Sequence, residues 1–566
     1  MRLSNATAMS NPRAIRTGAL SRAALVLSLC AGLLVSVDGQ RPRFFPDDPL
    51  QREPETQDAS KVQEWDIGLT PDLLLNLFGQ PGDPTTNQRA HNVNTADEVP
   101  DSSWFTNRIY ARSLSREEIV RGPNTIDGPA PGRWTVIRSK SVGVSPGFTV
   151  RDEKGDVWFL TFDAKENAVA GTASIVIASR LFWAMGYNQV ESYLTTLRPE
   201  HLVISDNVTI RAHGKRRRFT QADMNDVLAR SAAQPDGSYR VAAGRAIPGR
   251  TVGPFRYHGT RPDDPNDIVP HEHRRELRAL QVFGAWTNLV DMKGGNTLDT
   301  VIVENARGVV RHYLQDVGST FGTGALAPRD GDEGYEYLYD PRPVWRRFIT
   351  FGLFISPWQT ARYQEHPEVG RFEGRAFEPE NWRPRVPMAA LRHARADDLF
   401  WAALRVMAFT DEQIRAVVGT GGLTDPAAEK ILGDVLIERR DRIGAVYFSR
   451  INPLVGFALT DGGVLTFENP SVRAMFARAP EGGYEATWHR FDNATGLTEA
   501  LGPATTSIEE RVQSPGPLPG GADAFVKISI RALRPADAAW AIPVDVYFRR
   551  SGASWTLVGV DRLPAT

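Results

Sequence analysis

Short runs of alternating apolar and polar residues, separated by turn residues, cover the chain between residues 134 and 204. The runs that match a strand pattern lie at 134–140, 148–150, 157–162, 194–197 and 202–204. Between the third and fourth runs, residues 168–185 carry apolar side chains at helical spacing and are followed by Gly186, a residue type that commonly ends helices. This pattern predicts a small sheet that carries one helix.

A second pattern begins at His271 and includes a helix and a hairpin. Residues 271–290 predict one long amphipathic helix, with Asp291 directly behind its C-terminal end. Strand patterns at 297–304 and 309–314, joined by a short turn, then predict a β-hairpin. The hairpin leads to Asp316.

Other stretches carry weaker patterns. Residues 219–256 predict a helix at 221–229 and polar loops. From residue 345 to 450 the pattern is mainly helical, with a capping box that begins at Thr410 and a helix start at Asp425.

The two ends of the chain differ from this middle part. Residues 41–128 are rich in Pro, Asp, Asn and Arg, and only residues 71–78 show a convincing helical pattern. Trp and Phe occur so often in this stretch that we expect it to wrap around a later domain as an arm. After Arg450, strand and turn patterns continue, with a hairpin signal at 544–558. They predict an all-β, sandwich-like domain.

Length, composition and charge limit the classes of function. A chain of 566 residues exceeds what one hydrophobic core usually organises, so we expect two or three domains. Hydrophobic content of 41% and charged content of 23% are ordinary for a folded protein. A net charge of −1 with a pI of about 6.8 provides no long-range field for nucleic acid or an anionic membrane. We therefore expect no nucleic-acid partner.

The N-terminus has the pattern of an export signal. Residues 1–23 contain arginines and no acidic residue, and an apolar run follows from Ala24 to Val37. This predicts a secretory signal peptide at 1–39 and no stable transmembrane span after its cleavage, a retained anchor being the alternative. The single cysteine, Cys30, lies in this run, so the mature chain would have neither disulfides nor a thiolate nucleophile. We expect an exported protein of the periplasm, the cell envelope or the extracellular space.

The most informative chemistry lies around the predicted hairpin. Before it the chain reads Asp291-Met292-Lys293-Gly294-Gly295-Asn296, and behind it Asp316-Val317-Gly318. Asp-x-Lys-x-x-Asn is the spacing of the protein-kinase catalytic loop, and Asp-x-Gly is that of the metal-binding loop that follows it. Lysine is scarce, with eight among the 66 basic residues, so a lysine at this offset carries weight. The two segments resemble the corresponding loops of protein kinases.

The resemblance implies a role for each of these residues. Asp291 would orient the acceptor hydroxyl or accept its proton, and Lys293 would contact the γ-phosphate. Asn296 and Asp316 would bind Mg²⁺ or Mn²⁺, which would come with ATP. The hairpin between Asn296 and Asp316 would put the two loops on either side of the metal.

Several positions depart from the kinase pattern. Leu289-Val290 stands where typical protein kinases have His-Arg, and Thr161 lies in the strand where a nucleotide-binding lysine is expected. The predicted helix at 168–185 lacks a glutamate to pair with such a lysine. Lys165 or Lys140 would then supply the positive charge for the nucleotide. These departures are similar to those of divergent families, namely toxin-type, spore-coat and secretory-pathway kinases.

We therefore predict an α+β chain with a bilobal, protein-kinase-like fold. Its parts are a signal peptide at 1–39, an extended arm at 40–128, an N-lobe at 129–259, a C-lobe at 260–450 and a β-rich domain at 451–566. The predicted activity is phosphoryl transfer from a nucleotide to a hydroxyl on a protein, peptide, sugar or lipid. One alternative is a pseudokinase that binds envelope partners, with the β-rich domain as a contact surface. The other is a structural protein without ligand, in which the motif residues only form turns.

Overall fold

The structure, a computed structural model, describes residues 41–140, 145–212 and 215–563. The predicted signal peptide lies outside the described residues. Within these ranges, no helix combines the length and the apolar character that crossing a bilayer requires. The chain is a mixed α+β protein, as predicted, with several separate sheets.

Helices and strands are distributed along the whole described chain. The α-helices are α1 (Leu69–Leu74), α2 (Arg116–Arg121), α3 (Ala170–Met185), α4 (Gln221–Ala229), α5 (Arg275–Arg278), α6 (Leu280–Thr287), α7 (Pro341–Ile349), α8 (Ala389–Arg392), α9 (Ala396–Met407), α10 (Asp411–Gly419), α11 (Pro426–Ser449) and α12 (Pro470–Arg473). The strands are β1 (Trp134–Ser139), β2 (Gly147–Arg151), β3 (Val157–Phe162), β4 (Ser192–Leu197), β5 (Leu202–Ile204), β6 (Thr209–Ala212), β7 (Lys215–Arg218), β8 (Tyr239–Arg245), β9 (Arg250–Gly253), β10 (Thr297–Glu304), β11 (Arg307–Leu314), β12 (Val455–Leu459), β13 (Val464–Glu468), β14 (Tyr484–Phe491), β15 (Thr498–Ala500), β16 (Thr505–Ser507), β17 (Arg511–Gln513), β18 (Phe525–Ala532), β19 (Val544–Ser551) and β20 (Ser554–Asp561).

The first sheet has the strand order β4-β8-β3-β2-β1-β5 and is antiparallel except for the β1–β5 pair. On one face, Trp158, Leu160 and Phe162 of β3 are buried in a core that includes residues of α4. Helix α3 lies on the other face, where Arg240 Nε donates a hydrogen bond to Thr172 Oγ1 at 2.7 Å. The predicted sheet with its helix is confirmed, and α4 adds a second helix.

Strand β8 is the main difference from the predicted sheet. The sequence pattern assigns only a helix and polar loops to residues 219–256, and this prediction is wrong for 239–245 and for 250–253. The central residues Val241-Ala242-Ala243-Gly244 include small side chains of low β-propensity, so the local pattern is weak. Pairing with β3 on one side and β4 on the other fixes the strand. Tertiary context therefore outweighs local propensity here.

Strands β10 and β11 form the predicted hairpin, and β9 pairs with the outer edge of β10. Asn305 and Ala306 make the turn, with positive φ values of 49° and 62°. Two successive residues with positive φ are typical of the two-residue type I′ turn. Strand β11 begins at Arg307, two residues earlier than the pattern suggests, and it leads to Asp316 as predicted.

The long helix predicted for 271–290 is wrong. The segment contains a 3₁₀ turn and the two short helices α5 and α6, and it ends at Asn288, whose φ is 54°. Asp291 therefore follows three non-helical residues. Three arginines of this segment are fully buried: Arg274, Arg275 and Arg278. Charged residues usually lie on the exposed side of a helix. These three buried arginines therefore give the sequence the pattern of an amphipathic helix.

Helices α6 and α9 to α11 contribute to the largest hydrophobic cluster of the described chain. Both predicted caps are confirmed: Gln413 N donates to Thr410 Oγ1 at 3.1 Å, and the Asp425 side chain accepts from Ala427 N at 2.8 Å. The helical prediction is wrong for 350–388, where only a short 3₁₀ helix occurs. Five prolines and three glycines in this stretch disfavour helix.

The last part of the chain is β-rich, as its pattern predicts. Strands β12, β13 and β17 form one sheet, and β14, β15, β16, β18, β19 and β20 form another. The hairpin signal at 544–558 corresponds to β19 and β20. Buried residues of both sheets belong to one hydrophobic cluster. The sandwich-like packing and the domain boundaries stay predictions.

The N-terminal stretch 41–128 is mostly irregular and contacts several later segments. Phe44 packs against Phe491, and Trp104 stacks on His312 with ring centroids 3.6 Å apart. The sequence pattern identifies α1 and misses α2. The missed signal is the capping box formed by Ser115 and Glu118.

Candidate functional site

The segment that carries Asp291 is fixed by hydrogen bonds at the end of α6. Asn288 ends the helix in the left-handed region, which asparagine tolerates, and its Oδ1 accepts a hydrogen bond from Trp382 Nε1 at 2.8 Å. Two residues later, Val290 O accepts from Arg385 N at 2.9 Å. The two bonds determine where Asp291 leaves the core.

Asp291 and Lys293 form a salt bridge with each other. Lys293 Nζ donates to Asp291 Oδ1 at 2.8 Å and to Oδ2 at 3.0 Å. The Asp291 side chain is 25% exposed and that of Lys293 is 41% exposed, so both reach solvent. Burial raises the pKa of the neighbouring Tyr257, and the Asp291 carboxylate raises it further. The lysine neutralises the carboxylate charge and limits its orientation.

Asn296 connects the two loops of the predicted metal site. Its Nδ2 donates to Asp291 O at 2.6 Å. Its backbone oxygen accepts from Gln315 N at 3.0 Å and from Asp316 N at 3.2 Å. Since the amide nitrogen is used as a donor, the Oδ1 atom is left as an acceptor or metal ligand. The structure therefore brings Asp291, Asn296 and Asp316 together through direct hydrogen bonds.

The Asp316 turn lies directly against α3. Asp316 Oδ1 accepts from Gly318 N at 3.1 Å, and Ser174 Oγ of α3 donates to Gly318 O at 2.8 Å. A Cβ at Gly318 would come within 2.7 Å of Cγ1 of Ile175. Helix α3 contains no acidic residue, and it contacts the Asp316 turn through Ser174 and Ile175.

Lys140 follows β1 and approaches the Asp316 turn from the sheet. A Cβ at Gly147 of β2 would come within 3.3 Å of Lys140 Cδ, and Gly147 pairs with Thr161 of β3. The Lys140 side chain therefore crosses the sheet face that carries Thr161. Desolvation lowers the pKa of Lys140, whose side chain still reaches solvent, and the Asp316 carboxylate opposes that shift.

Lys165, the other predicted nucleotide-binding lysine, lies elsewhere. It is exposed in the short 3₁₀ helix Lys165–Asn167 that connects β3 to α3. Over the described ranges its side chain makes no hydrogen bond or ion pair with Asp291, Asn296 or Asp316. Its role in nucleotide binding stays a prediction, and the geometry brings only Lys140 towards the Asp316 turn.

The oxygen atoms of Asn296 and Asp316 fit the chemistry of a hard divalent cation. Mg²⁺ and Mn²⁺ prefer carboxylate and carbonyl oxygens, and Mg²⁺ in nucleotide sites takes few protein ligands because phosphates and water supply the others. In the residues that the structure describes, no group of three His, Cys, Asp or Glu side chains is arranged to hold a metal. The protein part of the proposed ligand set is therefore small.

The N-terminal arm covers the loop between Asp291 and Asn296. A Cβ at Gly294 would come within 2.5 Å of Ile67 Cδ1, and one at Gly295 within 3.1 Å of Leu69 Cδ2. At the first position even a methyl group would collide with the arm. The glycines that separate Lys293 from Asn296 therefore permit close contact with the arm.

A cavity of about 280 Å³ lies elsewhere, and its lining includes Asn288, Trp382, Tyr335 and Arg439. None of the six predicted site residues lines it.

Three neighbours of the site are not predicted from the sequence: Asn288, Ser174 and Tyr257. An asparagine near a predicted helix end is a signal for a left-handed cap, and it could have identified Asn288. The sequence carries no comparable signal for the other two.

Comparison with known proteins gives a weak structural likeness and no relative by sequence. No family model matches the chain, and no curated protein matches it. Among solved structures, the chain is similar to the Golgi casein kinase, with a TM-score of 0.29 and 8% identity over 71% of this chain and 94% of that chain. The same kinase with Mn/ADP bound matches with a TM-score of 0.29 and 9% identity over the same shares. The predicted resemblance to atypical secretory kinases is confirmed as a resemblance, and at this TM-score it carries no argument about fold or chemistry.

Proposed function

We propose that the chain is an exported, kinase-like protein that transfers a phosphoryl group from a nucleotide to a hydroxyl acceptor with Mg²⁺ or Mn²⁺. In this reading, the sheet with α3 is an N-lobe, the helices from α5 to α11 belong to a C-lobe, and the last two sheets form an appended sandwich-like domain. The acceptor belongs to a protein, a peptide, a sugar or a lipid.

The observation that carries this proposal is the meeting of two independent parts of the chain at Asp316. From one side comes Asn296, whose backbone oxygen accepts the Asp316 N–H. From the sheet side come α3, whose Ser174 Oγ donates to Gly318 O at 2.8 Å, and Lys140, whose side chain passes over Gly147. A cation from the sheet and oxygen ligands on the loops are the parts that phosphoryl transfer requires of a protein.

Each side chain has a definite task in this proposal. A bound divalent cation would neutralise phosphate charge, and Asn296 and Asp316 would hold it through side-chain oxygens. Lys140 would bind phosphate oxygens from the sheet side. Asp291 would accept a hydrogen bond from the acceptor hydroxyl and take its proton as the new bond forms. Lys293, now paired with Asp291, would add positive charge next to the transferred group.

A pseudokinase is the second candidate, and a specific observation favours it. Thr161 lies in the strand where an active kinase is expected to have a lysine, and α3 contains no acidic residue that could pair with such a lysine. Without that pair, the nucleotide phosphates lose one charged contact. Such a protein would use the same cleft to bind a ligand without turnover, and the β-rich domain to contact a partner in the cell envelope.

Nucleotide binding by the purified chain, measured by isothermal calorimetry with ATP and either Mg²⁺ or Mn²⁺, tests the proposal. We expect metal-dependent binding that Asp316→Ala abolishes and that Lys140→Ala weakens at least about tenfold, since a charge-assisted contact to phosphate is lost. Lys154→Ala is the matched control, because Lys154 lies in the turn between β2 and β3 on the same sheet. Circular dichroism must show that each variant is folded.

A rescue experiment distinguishes the lysine's charge from its packing. The Lys140 side chain passes over Gly147, and Gly147 pairs with Thr161. A lysine introduced at position 161 would therefore lie on the same sheet face as the Lys140 side chain. The double variant Lys140→Ala/Thr161→Lys should regain most of the lost affinity. Binding without phosphate transfer to any acceptor or to water would favour the pseudokinase. No heat at millimolar nucleotide with either metal would refute the enzyme reading and leave the pseudokinase.

A further inference from the structure

Helix α7 and the turn behind it expose an unusual amount of apolar surface. The most exposed side chains are those of Phe351 at 95%, Leu353 at 83% and Phe348 at 71%. The other members of this apolar α7 surface are Val344, Trp345, Ile349 and Ile355, each more than half exposed. Folded proteins seldom leave large contiguous apolar patches in water unless the patch contacts a partner or a membrane.

The charges within the α7 segment are positive, with Asp340 directly before it and Glu365 directly after it. Residues 341–364 contain four arginines and no acidic residue, so this segment carries a charge of +4 although the whole chain carries −1. Arg342 and Arg346 are exposed on α7, and Arg347 contacts Glu336 at 3.5 Å. At 100° per residue, Val344, Trp345, Phe348 and Ile349 share one side of α7, while the arginines lie outside that arc. The helix is therefore amphipathic, with a basic polar side.

The turn that follows α7 makes the apolar part protrude. Phe351 has a φ of 51° and Gly352 a φ of 84°, both in the left-handed region. Gly352 N donates to Arg347 O at 2.7 Å, which closes the helix end and leaves Phe351 and Leu353 at the tip. None of the exposed apolar side chains of this surface lines the 280 Å³ cavity, although Arg342 and Arg346 do.

A second apolar segment adjoins the first. The rings of Phe78 and Tyr339 are in contact, with centroids 5.2 Å apart, and these side chains are 61% and 57% exposed. Leu74, one turn before Phe78, is 50% exposed. The N-terminal arm therefore extends the apolar area towards α1. A broad apolar area next to exposed arginines is complementary to a fluid, negatively charged surface.

We propose that residues 341–355 dock on the surface of a bilayer that contains anionic lipids. Phe351, Leu353 and Trp345 enter the boundary between headgroups and acyl chains, where aromatic residues are favoured, and the arginines contact lipid phosphates. The helix lies on the membrane and does not cross it. This inference does not depend on the proposed phosphoryl transfer, because no predicted site residue belongs to the surface.

Vesicle sedimentation of the full chain tests the docking. Binding should be stronger to phosphatidylcholine vesicles that contain phosphatidylglycerol than to phosphatidylcholine alone, and should weaken with salt. Phe351→Ser/Leu353→Ser should lower the partition coefficient at least about tenfold. The matched control is Met475→Ser/Ile508→Ser, which removes two side chains that are 89% and 83% exposed in the β-rich part. Arg342→Gln/Arg346→Gln should remove most of the preference for the anionic lipid.

Hydrogen–deuterium exchange of the full chain separates this surface from any other membrane contact. Peptides that cover 341–355 should become protected on adding anionic vesicles, and the Phe351→Ser/Leu353→Ser variant should lose this protection. Three results would overturn the proposal: unchanged exchange at 341–355 with vesicles, equal partition of the two serine double variants, or protection of 341–355 without vesicles that depends on protein concentration. The last would indicate that a second copy covers the surface.

Discussion

Asp398 is expected to be the most sensitive single position for the stability of the segment that precedes Asp291. Its side chain is fully buried and accepts from Arg275 Nε at 2.9 Å and from Arg278 Nη1 at 2.9 Å. Arg275 has two further carboxylate partners, Asp97 and Asp397. Among the described residues, Asp398 is the only carboxylate that pairs with Arg278. Removing the Asp398 charge therefore leaves a buried guanidinium uncompensated.

The expected cost follows from burial. Asp398→Asn keeps the shape of the side chain and removes its charge, and breaking a buried ion pair from one side costs about 3–5 kcal/mol of unfolding free energy. Asp434 is the matched control because its carboxylate also contacts two cations, Arg415 at 2.7 Å and Lys430 at 2.5 Å, but is 41% exposed. Asp434→Asn should cost no more than about 1 kcal/mol.

Urea denaturation followed by circular dichroism and tryptophan fluorescence measures both variants, with the slope compared with that of the parent chain. A cost for Asp398→Asn within about 1 kcal/mol of that for Asp434→Asn would refute the reasoning, since burial would then make no difference. A double-mutant cycle adds a second check: Arg278→Gln/Asp398→Asn should cost less than the sum of its single changes, because the uncompensated charge is gone.

Three further predictions concern the site and its scaffold. Asn288→Ala should lower the unfolding free energy, measured in urea, by about 2–3 kcal/mol, because the left-handed cap and the acceptor for Trp382 Nε1 are lost together. Asn288→Gly should recover only the contribution of the left-handed backbone, since glycine also lacks the acceptor. Burial lowers the pKa of His258 to about 4, so this histidine contributes stability that is complete above its unfolded pKa of about 6.5 and is lost as pH falls towards 4. Chemical denaturation between pH 7 and 4 should give a shallower loss for His258→Gln, and an unchanged slope would contradict the assignment. Thr410→Ala should cost about 1 kcal/mol by removing the cap of α10, whereas Thr410→Ser should be nearly neutral in the same assay.

Elements with strong local signals could be predicted from the sequence. The hairpin of β10 and β11, the cap at Thr410 and the helix start at Asp425 all depend on neighbouring residues, and all are found in the structure. Local chemistry is sufficient in each case.

Elements that depend on distant parts of the chain could not be predicted. Strand β8 is stabilised by pairing with β3 on one side and β4 on the other, and its small residues give no periodic signal in the sequence. The acidic turn with Asp264 and Asp267 has the composition of a solvated loop, yet both carboxylates are buried, and Asp267 contacts His271 at 2.8 Å. Charged residues in a sequence predict exposure unless their partners are known, and those partners lie elsewhere in the fold.

The two predicted nucleotide-binding lysines, Lys140 and Lys165, differ in their position relative to the sheet face that carries Thr161. Lys165 is nearer in sequence to the expected position on β3, whereas Lys140 is two strands away in the sheet. The intervening residue on β2 is Gly147, where a Cβ would lie 2.2 Å from Leu160 O and where the Lys140 side chain passes. Only glycine fits this backbone approach, and the same absence of a side chain opens the path. Gly147 pairs with Thr161, and Thr161 pairs with Ala242 on the next strand, so small residues line this part of the sheet face. If that face accommodates a nucleotide, the cation that β3 lacks has a direct route from β1 to the phosphates.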